Sequence, residues 1–174
     1  AAAQSTRGTV LVTGATGFIG TVLLDHLIRC GWKLRALTRQ GEATAVSADQ
    51  LVWYSIVDLG DELPLDGCDV VVHLAARVHV MNECASEPLT EFRRVNVLAT
   101  ERLARQAAAS GVRRFVYLSS IKVNGEGTLP GRPFRAEDRP APEDAYGVSK
   151  HEAELALRQV AVDTGMEVVI IRPP

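Results

Sequence analysis

Cysteine is scarce in this chain of 174 residues: Cys30, Cys68 and Cys84 are an odd three, far apart and without a CxxC pair. That spacing supports neither a disulfide framework nor a zinc site, so reduced thiols and a cytoplasmic location are expected. No apolar run approaches the roughly 20 residues that cross a bilayer, and the stretch from Ala1 to Gly8 has no signal-peptide core. Neither membrane attachment nor export is expected. An excess of one charge is also missing. Nineteen Lys and Arg against twenty-one Asp and Glu leave a formal net charge of −2, which gives no pull toward nucleic acid. There is no internal repeat, low-complexity tract or interdomain linker. The length suits one domain, and 47% hydrophobic with 23% charged residues is enough for a core. A small-molecule partner is the expectation.

What is present is an alternation of short β-branched runs with segments of helical period, the mark of βαβ units around a parallel sheet. Strands are expected at 9–12, 33–37, 51–54, 70–74, 113–118 and 167–171. The small-residue stretch between the second and third has room for a short helix. The run Val70 to Leu74 is almost wholly apolar, as a central strand buried on both faces must be. Helices are expected over 21–29, 90–110 and 144–164, each stopped by a glycine (Gly31, Gly111, Gly165). The stretch from Asn124 to Asp144 holds four of the eight prolines and is read as a long irregular loop, often a functional feature beside a rigid sheet.

Between the first strand and first helix stands Thr13-Gly14-Ala15-Thr16-Gly17-Phe18-Ile19-Gly20, a TGxxGxxG turn. Glycines let the chain turn tightly, bring backbone against a pyrophosphate, and pack helix on strand. The helix N-terminus then offers N–H groups and a positive dipole end to phosphates. The alternative is a turn with no ligand. Further along, Tyr146-Gly147-Val148-Ser149-Lys150 puts a phenol and an ammonium on one helix face about 5–6 Å apart at Cβ. The cation is expected to lower the phenol pKa and make it a usable acid or base; a surface Tyr beside a solvated Lys is the blander reading. Ser119 and Ser120 end the fifth strand, where open α/β sheets place their ligand crevice.

These motifs, in this order, resemble the extended short-chain dehydrogenase/reductases, in the nucleotide-sugar epimerase and dehydratase branch. The matching residues are TGATGFIG at 13–20, Asp58-Leu59, HLAA at 73–76, Asn96 in VNVLAT, LSSIKVNG at 118–125, YGVSK at 146–150, and the closing IRPP. Within the branch, LSSIKVNGE, the proline-bearing loop and DAYGVSKHEAE are most similar to UDP-glucose 4-epimerase-like 4-epimerases and 4-keto-reductases of surface-sugar synthesis. The resemblance implies an α/β fold, a Rossmann-type doubly wound parallel sheet with helices on both faces. It also implies a nicotinamide cofactor, a nucleotide-linked sugar as substrate and a catalytic set of Ser120, Tyr146 and Lys150. Ser120 is chosen over Ser119 by its distance from Gly125. The implied cofactor residues are Gly14, Thr16, Gly17, Phe18, Ile19, Arg39, Asp58, Leu59, Leu74, Ala75, Ala76 and Asn96, with Tyr146 and Lys150 shared; Asp58 would meet the adenine. One departure is Val123-Asn124-Gly125, where the family often has Val-Tyr-Gly.

Cofactor choice turns on the end of the second strand, where an acidic residue would bind the NAD ribose and an arginine the NADP 2′-phosphate. Leu37-Thr38-Arg39, with no acid before Glu42, tilts the reading toward NADP over NAD; Arg39 stacked on adenine would accept either. No metal is expected: His26, His73, His79 and His151 have no carboxylate pair at ligand spacing. The arginines around Arg93, Arg94, Arg102 and Arg105 read as a solvated helix face. The apolar stripes of the two long helices fit a homodimer contact and burial on the sheet equally well. Residues 1–174 are expected to form the cofactor domain without the sugar-binding lobe, and so to be inactive alone. A fold-preserving sensor or scaffold without chemistry is the rival reading.

Overall fold

The computed structural model describes residues 7–39, 48–59, 62–77 and 88–174. Cys84, Glu42, His79 and the short helix suggested between the second and third strands lie outside them. Six parallel strands form one sheet: β1 Thr9–Thr13, β2 Lys33–Arg39, β3 Leu51–Ile56, β4 Val70–His73, β5 Arg114–Leu118 and β6 Glu167–Ile171. Their order is β3-β2-β1-β4-β5-β6, the doubly wound arrangement. Strand order reverses between β1 and β4, which pair in the register Val12 with Val72 and Thr13 with His73.

Period 2 in β1 divides the core. Val10 and Val12 pack under helix α1 (Phe18–Arg29) with Leu24, Leu34 and Ala36. Leu11 faces the other way, with Val71, Phe115 and Tyr117, toward α3 (Ala99–Ala109) and α4 (Ala145–Thr164). The apolar stripes of both long helices, Leu103, Ala104 and Ala107 on α3 and Ala153, Leu157 and Val160 on α4, are buried in that cluster. Leu98, Leu155 and Val162 remain exposed.

The helix expected over 90–110 is three pieces. Helix α2 (Pro88–Phe92) runs into a π-helical turn, Arg93–Leu98, and then into α3. α1 begins at Phe18, earlier than expected, and β2 runs on to Arg39. The stretch after β5 opens with a 3₁₀ turn, Ile121–Val123, and is otherwise irregular up to α4. No helix among the described residues is long and apolar enough to cross a membrane.

Candidate functional site

The glycine turn closes on backbone. Gly14 has φ +66, and a Cβ there would lie 2.7 Å from the Ala75 nitrogen, so the chain leaving β4 crosses directly over the turn. A Cβ at Gly20 would run into the Gly14 carbonyl. Gly17 is less closely packed: a Cβ there would have a single near neighbour, the Gly14 oxygen at a tight 3.3 Å. It is also the N-cap of α1, with no side chain bonded to the first helical N–H groups.

Above the turn is a cavity of about 700 Å³, within the usual range for ligand sites. The ends of four strands, the π turn and the start of α3 wall it: Thr13, Gly14, Thr16 and Gly17 at the end of β1 and beyond, Leu37 to Arg39 of β2, Ile56 to Leu59 at the end of β3 and beyond, Leu74 to Arg77 after β4, Arg94 and Val95 of the π turn, and Ala99 of α3. Nine of the twelve residues expected to serve the cofactor alone, Gly14, Thr16, Gly17, Arg39, Asp58, Leu59, Leu74, Ala75 and Ala76, therefore share one wall. Phe18 and Ile19 do not; they open α1 and are 90% and 46% exposed. Asn96 also stays off the wall. Its Oδ1 accepts from the Arg77 N–H at 2.8 Å, while its Nδ2 donates to the Arg77 carbonyl and to Ser149 Oγ. It braces the wall from behind.

His73 holds the β4 exit in place. Thr13 Oγ1 accepts from the Ala75 N–H at 3.2 Å and lies 2.6 Å from His73 Nδ1; His73 Nε2 lies 2.8 Å from Thr100 Oγ1. Burial, and secondarily the charge of Lys150, press the imidazole down to about 3, so at neutral pH it is an uncharged strut. Thr13, His73, Val95, Ala99 and Thr100 stand inside the quoted motifs, which gave them no role, and Arg94, read as part of a solvated helix face, lines the cavity beside Arg77.

Ser120, Tyr146 and Lys150 come from the next elements along, the end of β5 and the first two turns of α4. Ser120 Oγ accepts from the Lys122 N–H at 3.2 Å. The Tyr146 ring is half-buried, edge-on to Phe92 with centroids 6.1 Å apart. Lys150 is 1% exposed; its Nζ donates to the Leu118 carbonyl at 2.7 Å and lies 4.2 Å from the centre of the Tyr117 ring. Desolvation draws the ammonium down to about 7, with Glu154 opposing. The expectation that Lys150 depresses the phenol is therefore corrected: the ammonium is committed to Leu118. Burial and Asp144 hold Tyr146 above its ordinary value, and the cation that lowers it is Lys122.

A dinucleotide needs glycine backbone and an uncapped helix start for its pyrophosphate, a polar partner at the β2 end for its ribose, and a crevice at the switch point of strand order. Gly17, Arg39 and Asp58 fit those demands around one cavity. Fold and site together define a Rossmann-type nucleotide-binding unit. The chain belongs to the NAD dependent epimerase/dehydratase family, which it matches over residues 10–174. A UDP-glucose 4-epimerase of Vibrio cholerae is 50% identical over 169 residues, covering 94% of this chain and 50% of its own length. The GDP-6-deoxy-D-mannose reductase of Pseudomonas aeruginosa is 32% identical, covering 94% and 51%. Among solved structures, MoeE5 in complex with UDP-glucuronic acid and NAD superposes with TM-score 0.76 at 33% identity, covering 95% of this chain and 54% of that one. The UDP-N-acetylglucosamine 4-epimerase from Methanobrevibacter ruminantium M1, in complex with UDP-N-acetylmuramic acid, has TM-score 0.82 at 26% identity, covering 97% and 55%. The chain spans about half the length of the curated relatives it matches.

Proposed function

We propose that the whole protein is a nucleotide-sugar 4-epimerase or a related 4-keto-sugar reductase that uses NAD, and that residues 1–174 are its cofactor domain. The sugar-binding lobe would then lie in chain beyond these residues, as the greater length of the relatives suggests. The observation that carries the reading is structural. Supporting it, the turn that follows Ser120 is tied to the start of the Tyr146 helix by Lys122 donating to Asp144 at 2.8 Å, and that helix is bonded to the π turn that helps wall the cavity by Asn96 donating to Ser149 at 3.0 Å.

Gly14 and Gly17 would cradle the pyrophosphate, Asp58 would meet the adenine and Arg39 the ribose. NAD is preferred over the NADP suggested by Arg39, because the family carries NAD in its description and MoeE5 was solved with it. When bound, the nicotinamide supplies hydride transfer. Tyr146 would move the proton of the sugar 4-hydroxyl, and Ser120 would bridge that oxygen and the phenol. Lys150 would reach the ribose hydroxyls once released from Leu118. The test is conversion of UDP-glucose by the full-length protein, followed chromatographically. Tyr146→Phe should lower turnover by roughly 10²–10⁴-fold, the span of general acid–base catalysis, with cofactor affinity nearly intact. A parent inert toward UDP- and GDP-sugars would overturn the reading in favour of a sensor or scaffold.

A further inference from the structure

Lys122 stands two positions after Ser120 and has no role in the chemistry above, yet it is where the serine turn meets the tyrosine helix. Its Nζ donates to Asp144 Oδ2 at 2.8 Å and to the two Glu126 oxygens at 2.8 and 3.0 Å. Asp144 turns its other oxygen to the helix and accepts the Gly147 N–H at 2.6 Å, capping α4 across Tyr146. The backbone makes a second contact. Gly147 is packed so closely that a Cβ there would lie 2.8 Å from the Lys122 carbonyl oxygen. Lys122 thus reaches α4 twice, by ammonium and by carbonyl, and both contacts fall on residues flanking Tyr146.

We infer that Lys122 and Asp144 form a latch that fixes the Ser120 turn against the first turn of α4 and sets the placement of the Ser120 hydroxyl relative to the Tyr146 phenol. The inference deepens the function proposed above and rests on it. Both are positioning residues: neither is placed against substrate or cofactor. With the Lys122 side chain 39% exposed, such a pair adds little to stability, so its effect belongs to geometry and to the ionisation of Tyr146 rather than to melting. The two charges act on the phenol with opposite sign, Asp144 raising it and Lys122 lowering it. From the other elements around it, Phe92 of α2 and Tyr117 of β5 bring no charge. Lys150, one turn along α4, is directed at the Leu118 carbonyl.

The test compares the full-length parent with Lys122→Met, Lys122→Arg and Asp144→Asn, the last keeping an oxygen for the helix cap. Tyr146 ionisation is followed by NMR of ring-labelled tyrosine, assigned with Tyr146→Phe, and turnover of UDP-glucose is measured alongside. Lys122→Met should move the Tyr146 titration upward and lower kcat by about tenfold to a hundredfold, the scale of a small misplacement of reacting groups. KM should barely change, Lys122→Arg should restore most of the rate, and Asp144→Asn should move the titration downward. Shifts of one sign in both variants, or none, would overturn the latch. If the parent converts no nucleotide sugar, it is the proposed function that fails. Crystal structures of the parent and Lys122→Met then decide the latch alone, a displaced Ser120 turn upholding it and an unmoved one overturning it.

Discussion

The Ser119 hydroxyl donates to the Glu154 carboxylate at 2.6 Å, inside the core. Arg172 completes that group from the other side, donating through Nε at 2.8 Å. Ser120, the next residue, is free of this network and bonds within its own turn. Neighbouring serines therefore divide their work: one donates to a buried charge, and the other stays outside that network, as the ligand role proposed for it requires.

Ser119→Ala should lower unfolding free energy by about 1.5–3 kcal/mol, the worth of a hydrogen bond to a charged group. Ser120→Ala removes only the long N-cap bond to Lys122 and should cost about 1 kcal/mol or less, while lowering turnover on the order of 10²-fold. Urea unfolding beside steady-state rates separates the two. Equal stability losses would remove the distinction.

Lys150 makes the site costly to fold. Its folded pKa of about 7 lies below the ordinary 10.5. Between those values the unfolded chain holds a proton that the folded chain gives up. Stability of the parent should therefore rise with pH across this window, by at most about 1.4 kcal/mol per unit, and fall as pH drops toward 7. Lys150→Met should be more stable than the parent at pH 7, with the advantage shrinking toward pH 10, and should lose turnover. A variant less stable than the parent at pH 7 would contradict this.

Arg39 ends β2 on the cavity wall, as does Asp58 beyond β3. Arg39→Ala should weaken NADP by about 1.5–3 kcal/mol, the loss of a charge-assisted contact to its 2′-phosphate, and NAD by much less. Calorimetric titration with both cofactors checks it. Equal losses would make Arg39 a stacking platform for the adenine.

The sheet was legible because parallel strands are written as short apolar runs, and β6 falls at the expected residues, Glu167–Ile171. Gly14, Gly17, Ser120, Tyr146 and Lys150 were legible as spacings along the chain. Contacts made across the fold were not. Asn96 bonds Ser149, 53 positions away, and Lys122 bonds Asp144, 22 away; no local period encodes either. The π turn was equally hidden, since its residues fit a helical stripe. It turns Asn96 inward to Arg77 and Ser149, in keeping with the tendency of such turns to sit at functional sites. The direction of Lys150 escaped for another reason: helical spacing puts it beside Tyr146, but the Leu118 carbonyl and the Tyr117 ring claim the ammonium.

The central claim, that the glycine turn and the cavity above it hold a dinucleotide, is tested most directly by calorimetric titration of NAD into the parent and Gly17→Val. A Cβ at Gly17 meets one near atom among the described residues, the Gly14 oxygen at 3.3 Å, whereas a Cβ at Gly20 would run into that same oxygen, so the variant should disturb the fold far less than a change at Gly20. Yet the added side chain stands at the start of α1, where the pyrophosphate must approach. The account predicts one NAD site in the parent and an affinity lower by about tenfold or more in Gly17→Val, with a single cooperative unfolding transition retained. A parent that binds no NAD, or a variant that binds it as well as the parent, would contradict it.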